Sequence, residues 1–442
     1  MMIMSCYNLS KNTEFSQLLK GLKDKEEESK EQESKDNESK DKEQESKEEE
    51  SKNKVINVTN YSTKSNEKYK ILKYNKSILS ANEFSSHGLF RSVILNSLND
   101  VVCFSPPKSY AADKFMEKYP SPQTSPIVAQ EFVEGTMINV FFDPSVGITG
   151  CWQIATRSTV GANITFFKGA NKTFNEMFVE ACVENKLFIS TLNPHFCYSF
   201  VLQHPSNRIV APISKPQIYL VEVFQIIKDN ENNIKVYSQD MNVVKQYGYW
   251  GLTTIRFPET YEFTTYTELL QKFASPNTPY NVMGVVIKHG LTNERSKMRN
   301  PIYEEVRQLR GNEPKMQYQY LSLRRDGKIA EFLKFYPETK NEMSGYRDQL
   351  HMFTNTLYQN YISCYVKKEK PLNQYPEQYR THMYKIHQHY LTNLREAKGS
   401  ITNTYVINYV NALPTSLLMF CLNHSLRKRN VDVIKTSNSD SN

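Results

Sequence analysis

VAQEFVEGTMINVFF, from Val128 to Phe142, places two β-rich runs on either side of a short break. Val128–Phe132 and Met137–Phe142 carry the β-branched and aromatic residues that suit a pleated, half-buried surface. Between them, Gly135 permits backbone that other residues resist. Glu134 beside it reads either as a turn-closing residue or as a carboxylate presented to a ligand. Working outward, similar short runs recur at Ser92–Leu95, Val101–Phe104, Cys151–Thr156, Tyr198–Leu202, Gln217–Gln225 and Val282–Lys288. Their spacing predicts an antiparallel or mixed sheet system. One amphipathic helix is expected over Thr173–Asn185, where Phe174, Phe178 and Cys182 fall at i, i+4 and i+8. Beyond about Gly345 the strands stop. His351–Val366, Gln378–Leu394 and Thr402–Leu422 read as helices, divided by Pro371, Pro376 and Gly399.

The 442 residues are 39% apolar with a mean hydropathy of −0.60, below the roughly 45–50% of an ordinary globular chain. Much of the deficit lies in one tract. Residues 23–54 hold 9 Lys and 14 Asp+Glu, a net of −5, in a repeated Glu-Ser-Lys unit without an apolar residue. Such a composition predicts disorder, and residues 55–66 continue as a polar linker. Residues 1–22 are +1, so with +8 overall, residues 55–442 carry 8 + 5 − 1 = +12. That field attracts polyanions. No stretch of about 18 apolar residues predicts a membrane span, and the N-terminus lacks the pattern of a secretory signal. Seven scattered cysteines without a C-x-x-C pair fit a reducing compartment, hence a cytoplasmic setting. The expected organisation is a disordered charged tract and linker over 1–66, a β-rich domain over 67–340, an all-α domain over 341–428 and a tail over 429–442.

Six segments occur in an order that resembles the phage-type ATP-dependent RNA ligases. Arg91-Ser92-Val93-Ile94, the strand Val101–Phe104 and Pro107-Lys108 resemble that family's run upstream of its nucleotide-attachment motif. Glu131–Thr136 stands where the family has K-x-[DE]-G-[ST]. Trp152–Ser158 is similar to its hairpin strand with a basic turn. Tyr198–Leu202, followed by Pro205–Val210, looks like the F-E-h segment and its downstream P-x-N-R-I-V. Val282–Val286 resembles E-G-h-V, and Lys297-Met298-Arg299 resembles K-x-K. The resemblance, covering about residues 85–300, is to a divergent copy of the kind carried by large DNA viruses. It implies an α+β protein: an antiparallel-β nucleotidyltransferase domain with an ATP-grasp-type cleft, followed by the all-α domain. In that family a lysine takes AMP from ATP and passes it to an RNA 5′-phosphate.

The departures fall at the chemistry. Phe132 stands at the nucleophile position, and a phenyl ring offers phosphorus no lone pair. Val201 and Met283 replace the two glutamates that hold a divalent metal, and neither supplies an oxygen ligand. The phosphate-facing positions stay basic: Arg91, Lys108, Arg157, Lys297 and Arg299, with Glu134 and Gly135 also kept. The expectation is a pseudoenzyme without catalytic residues, metal or cofactor that binds a nucleotide or RNA, with a possible protein partner at the helical domain and no membrane. Two alternatives stay open. One is an active ATP- and Mg-dependent ligase with a displaced nucleophile. The other is a virion or structural protein, in host cytoplasm or particle, on the same scaffold. His195, His204 and His289 lack ligand spacing and are not expected to bind metal. Tyr384, His387, His389 and Tyr390 read as a partly buried helix face.

Overall fold

A computed structural model describes residues 5–31, 55–166 and 172–426, with backbone alone for 23–31. Its strands are β1 (Cys6–Asn8), β2 (Ile56–Ser62), β3 (Lys68–Tyr74), β4 (Val93–Leu95), β5 (Val101–Phe104), β6 (Ile127–Glu131), β7 (Thr136–Asp143), β8 (Cys151–Ala155), β9 (Phe196–Gln203), β10 (Gln217–Lys228), β11 (Ile234–Ser238), β12 (Thr260–Tyr261), β13 (Gly284–His289) and β14 (Arg295–Arg299). They make three antiparallel sheets, ordered β1-β11-β10-β9-β7-β8, β12-β6-β13-β14 and β2-β3-β4-β5.

The two runs of the Val128–Phe142 stretch do not pair as a hairpin. β6 belongs to the four-stranded sheet and pairs with β13, whereas β7 belongs to the six-stranded sheet and pairs with β9. Residues 132–135 carry the chain from one sheet to the other, which places Phe132 at their junction. The segment after Thr254 makes the same crossing. Arg256 bonds Ile218 and Leu220 at the edge of β10, and Glu259–Tyr261 then runs beside β6.

Each sheet buries one face. The helix α1 (Thr13–Glu31) and β1 pack with the β2–β5 sheet around Leu9, Phe15, Ile71, Phe90, Ile94 and Phe104. The helix α2 (Ala112–Lys118) supplies Phe115 to the core of the β6–β13–β14 sheet. The helix α3 (Phe174–Glu184) starts on a capping box, Thr173 with Glu176, and buries Phe174, Met177, Phe178 and Cys182 against Tyr198, Phe200 and Leu202 of β9. A helix α4 (Tyr266–Phe273) adds Leu269 and Phe273 beside α2.

The expected disordered segment 1–66 is corrected in two places. Leu9 and Phe15 are fully buried, and β1 pairs with β11 through Cys6, Tyr7 and Asn8. Phe15, Leu18, Leu19 and Leu22 lie on one face of α1 by their 3–4 spacing, and all pack on the core. The backbone stays helical to Glu31, inside the charged run. The expected linker over 55–66 contains β2, which pairs with β3 for seven residues. Residues 32–54, where the rest of the repeat falls, lie outside the described residues, as do those of the tail beyond Leu426.

The chain divides into two compact units, residues 1–305 apart from 167–169, and residues 306–442 with 167–169. The boundary therefore falls near 305, before the expected 340. Within the second unit, helices α5 (Pro301–Arg310, reaching across the boundary), α6 (Met316–Arg325) and α7 (Ile329–Phe335) precede the long α8 (Lys340–Tyr361). Gln319 donates to the Leu309 carbonyl and the Tyr336 hydroxyl to that of Val306, so these helices pack with the helical unit. The chain continues through α9 (Glu377–His389), α10 (Asn403–Asn411) and α11 (Thr415–Leu422). The last two were expected as one helix. Pro414, which has no amide hydrogen for an i→i−4 bond, begins the second, and their axes differ by 115°. Among the described residues no single helix is long and apolar enough to cross a membrane.

Candidate functional site

The six-stranded and β6–β13–β14 sheets face one another through polar side chains. In β14, period-two alternation puts Arg295, Lys297 and Arg299 on one face, while Met298 enters the core on the other. In β9 the opposite alternation sends Tyr198, Phe200 and Leu202 to α3 and leaves Ser199 and Val201 for the far face. Between the sheets, Lys288 pairs with Glu222, whose carboxylate also accepts from the Ser238 hydroxyl. Asn293 donates to Ser238, and the hydroxyl of half-buried Tyr7 reaches the Asn293 carbonyl. Burial, with the Glu222 charge nearby, pushes the Tyr7 phenol well above its ordinary range. The N-terminal strand thus joins the polar contacts between the two sheets.

Several basic residues lie close together beside these sheets. Lys297 Nζ lies 4.6 Å from the centroid of the Phe132 ring and Arg299 Cζ lies 5.3 Å from it. Arg157, on the turn after β8, rests over Tyr74 at 5.4 Å and donates from Nε to the Arg91 carbonyl at 3.4 Å. Lys108 lies 5.2 Å from the centre of Phe84. Arg295, only 7% exposed, donates to the Pro107 carbonyl at 2.8 Å, and its Nε has no partner among the described residues. Desolvation, then the charges of Arg295, Arg91, Arg299 and Lys108, pull the Lys297 amine down to about 6. Burial and the neighbouring Arg295 draw Arg91 down to about 10, and burial with Lys76 and Arg91 lowers Lys108. Arg299 pairs with Glu304. Arg91, Lys108, Arg157 and Lys297 form no ion pair among the described residues. Uncompensated cations this close raise one another's free energy, and an anion among them relieves it.

Glu134 is held by backbone amides. It is 5% exposed and accepts from the Val210 and Ala211 amides at 3.0–3.2 Å. Burial raises its pKa, opposed by those amides. It is a strut for the 210–211 loop. Gly135 has φ of +147°, and a Cβ there would meet the Leu202 carbonyl and Val201. The close approach it permits is to β9. Val201 packs with Val133, Tyr219 and Val221 in a small apolar cluster, and half-buried Met283 precedes β13. These side chains do not suit a divalent metal, which needs oxygen ligands. Glu222, a carboxylate nearby, is committed to Lys288 and Ser238. His204 contacts Glu180 at 3.0 Å and accepts from Ser206, while His289 stacks on Tyr119 and accepts from Thr292.

No family model matches the chain. It is 25% identical over 259 residues to an immediate-early protein ICP-46 homolog of Invertebrate iridescent virus 6, covering 54% of this chain and 53% of that protein. It is 22% identical over 283 residues to an RNA ligase of Rhodothermus phage RM378, covering 56% and 61%. The chain is thus similar in sequence to two viral proteins, one of them an RNA ligase. It spans little more than half the length of those two viral relatives. Among solved structures, a mutant Naegleria gruberi RNA ligase with ATP and manganese is similar at 12% identity, covering 46% of this chain and 58% of that one, with a TM-score of 0.33. A second mutant, with AMP and manganese, is similar at 13% identity, covering 46% and 57%, with a TM-score of 0.33.

The structure brings together Arg91, Lys108, Arg157, Lys297, Arg299 and Phe132. Glu134 and Gly135 support the scaffold beside them. Sequence reasoning missed Arg295, although the Arg-x-Lys-x-Arg spacing of β14 already places it on the face of Lys297. It also missed Tyr7 and Glu222, whose roles arise from packing between distant segments.

Proposed function

We propose that the cleft binds a nucleotide or the end of an RNA through its phosphates and has lost the covalent chemistry of RNA ligases. One observation carries the reading. Lys297, which has no ion pair among the described residues and lies among the charges of Arg91, Arg295 and Lys108, sits over Phe132, which is no nucleophile, while Val201 and Met283 supply no metal ligand. Guanidinium and ammonium groups grip phosphate oxygens directly, so no metal is required to bridge them. ATP should therefore bind as well with a chelator as with Mg²⁺. Equilibrium binding of a fluorescent ATP analogue in the two conditions tests this; binding that requires the divalent ion would reject it.

A second reading has its own support. Lys297 Nζ adjoins Phe132, and an amine with a pKa near 6 is mostly neutral at pH 7. A neutral amine has the lone pair that nucleotidyl transfer needs. That favours a ligase with a displaced nucleophile. The apolar cluster around Val201, in place of metal-holding carboxylates, favours the first.

A further inference from the structure

The β2–β3–β4–β5 sheet ends on one side in a strand whose outer edge is unused. Asn75 donates to the Val55 carbonyl, and Thr63 to that of Glu67. Antiparallel pairing alternates, so the odd-numbered residues of β2 bond to β3, while Ile56, Val58, Asn60 and Ser62 turn their amides and carbonyls outward. The Ile56 amide is taken by Glu14 Oε1 at 3.0 Å. The outward groups of Val58, Asn60 and Ser62 have no hydrogen-bond partner among the described residues. Such an edge is ordinarily blunted by a charge, a proline or a bulge. Ile56–Ser62 holds no charged residue and no proline, and its register with β3 is unbroken. Val58, Thr59, Asn60 and Ser62 are exposed, whereas Tyr61 packs against the core.

We propose that β2 is a self-association edge, pairing antiparallel with β2 of a second copy of this chain about a two-fold axis through Asn60. In that register Asn60 faces itself and Val58 faces Ser62, and each facing pair of outward residues exchanges two hydrogen bonds. The strand is uncharged, so no like charges are set opposite one another. At either end Ile56 of one copy faces Lys64 of the other. Lys64 is an exposed turn residue, and the Glu14 carboxylate that holds the Ile56 amide meets its charge. A foreign strand would use the same backbone groups without this complementarity at both ends. The two-fold consumes the edge of both copies, so association closes at two. None of this depends on what the cleft binds.

Sedimentation equilibrium of the full chain over a wide range of concentration tests this. The mean mass should rise from 51.5 kDa toward twice that value. Asn60→Pro removes an outward amide without costing a bond to β3, a position at which an edge strand accepts proline. It should keep the wild-type circular dichroism and stay at the monomer mass. Asn60→Lys, at an exposed side chain, sets like charges opposite one another across the axis. It should weaken the dimer about fivefold at low salt, with part of the loss recovered at high salt, where the charges are screened. Wild-type protein that stays monomeric throughout would overturn the proposal, as would assembly that continues past two. A dimer of unchanged affinity in folded Asn60→Pro would place the contact elsewhere and overturn it too. Should the proline variant unfold, unchanged affinity in Asn60→Lys would have the same force.

Discussion

Binding of a phosphodiester strand should strengthen as pH falls from 8 to 6, with Lys297 as the cause. The groups facing its amine are Arg295 and Arg299 on its own strand, Arg91 before β4, Lys108 after β5 and the Phe132 ring after β6. With a pKa of about 6 in the unliganded protein, the amine is about half protonated at pH 6, about one part in eleven at pH 7 and one in a hundred at pH 8. A phosphate beside it favours the charged form, so binding takes up a proton. If binding selects the protonated amine, affinity should drop about fivefold from pH 6 to 7 and about fiftyfold from pH 6 to 8. The same linkage acts on stability with a definite sign. The folded pKa lies below that of the unfolded lysine, so the unliganded fold gains stability as pH rises from about 6 toward 10. The assay is fluorescence anisotropy of a 5′-hydroxyl RNA 12-mer at constant ionic strength. That ligand lacks a terminal phosphate, whose second ionisation near pH 6 would mask the effect. Lys297→Arg, charged throughout, should flatten the profile. A wild-type affinity constant between pH 6 and 8, or a slope retained in Lys297→Arg, would refute the reasoning.

Further outcomes concern the scaffold and the missing chemistry. Phe15→Ala removes a fully buried ring packed 5.1 Å from Phe90, at a cost of about 3–5 kcal/mol by large-to-small cavity behaviour. Urea unfolding should show an earlier midpoint, and a change below about 1 kcal/mol would mean that the N-terminal helix is not docked. Phe132→Lys alone should not restore strand joining, because Val201 and Met283 leave the metal without carboxylates. Joined product from a nicked RNA substrate in a gel assay would show those two positions to matter less than claimed.

Much of the sheet system was legible because the runs carry their own signal. Val101–Phe104 is matched to the residue, and the helix expected over Thr173–Asn185 is observed as Phe174–Glu184 with those two residues as caps. The N-terminal segment misled because its stripe of Phe15, Leu18, Leu19 and Leu22 abuts a long charged run, whose composition dominated the reading. β2 gave no alternation since most of its side chains are exposed; it exists by pairing with β3. At the site, motif order located the cations. It left the role of Glu134 open between turn closure and a carboxylate presented to a ligand, and gave no sign that its carboxylate would accept from the distant 210–211 amides. Glu222 pairs with Lys288, 66 residues away, and Tyr7 reaches Asn293, 286 residues away, which no local pattern encodes.

The central claim is that the cleft holds a nucleotide without reacting with it. Protein incubated with α-labelled ATP and Mg²⁺ can be filtered in its native state and again after denaturation. The account predicts label retained by the native protein and lost on denaturation. Label that survives denaturation on a lysine would contradict it and establish a displaced nucleophile, with Lys297 the first residue to map; no label on the native protein would remove the nucleotide from the cleft altogether.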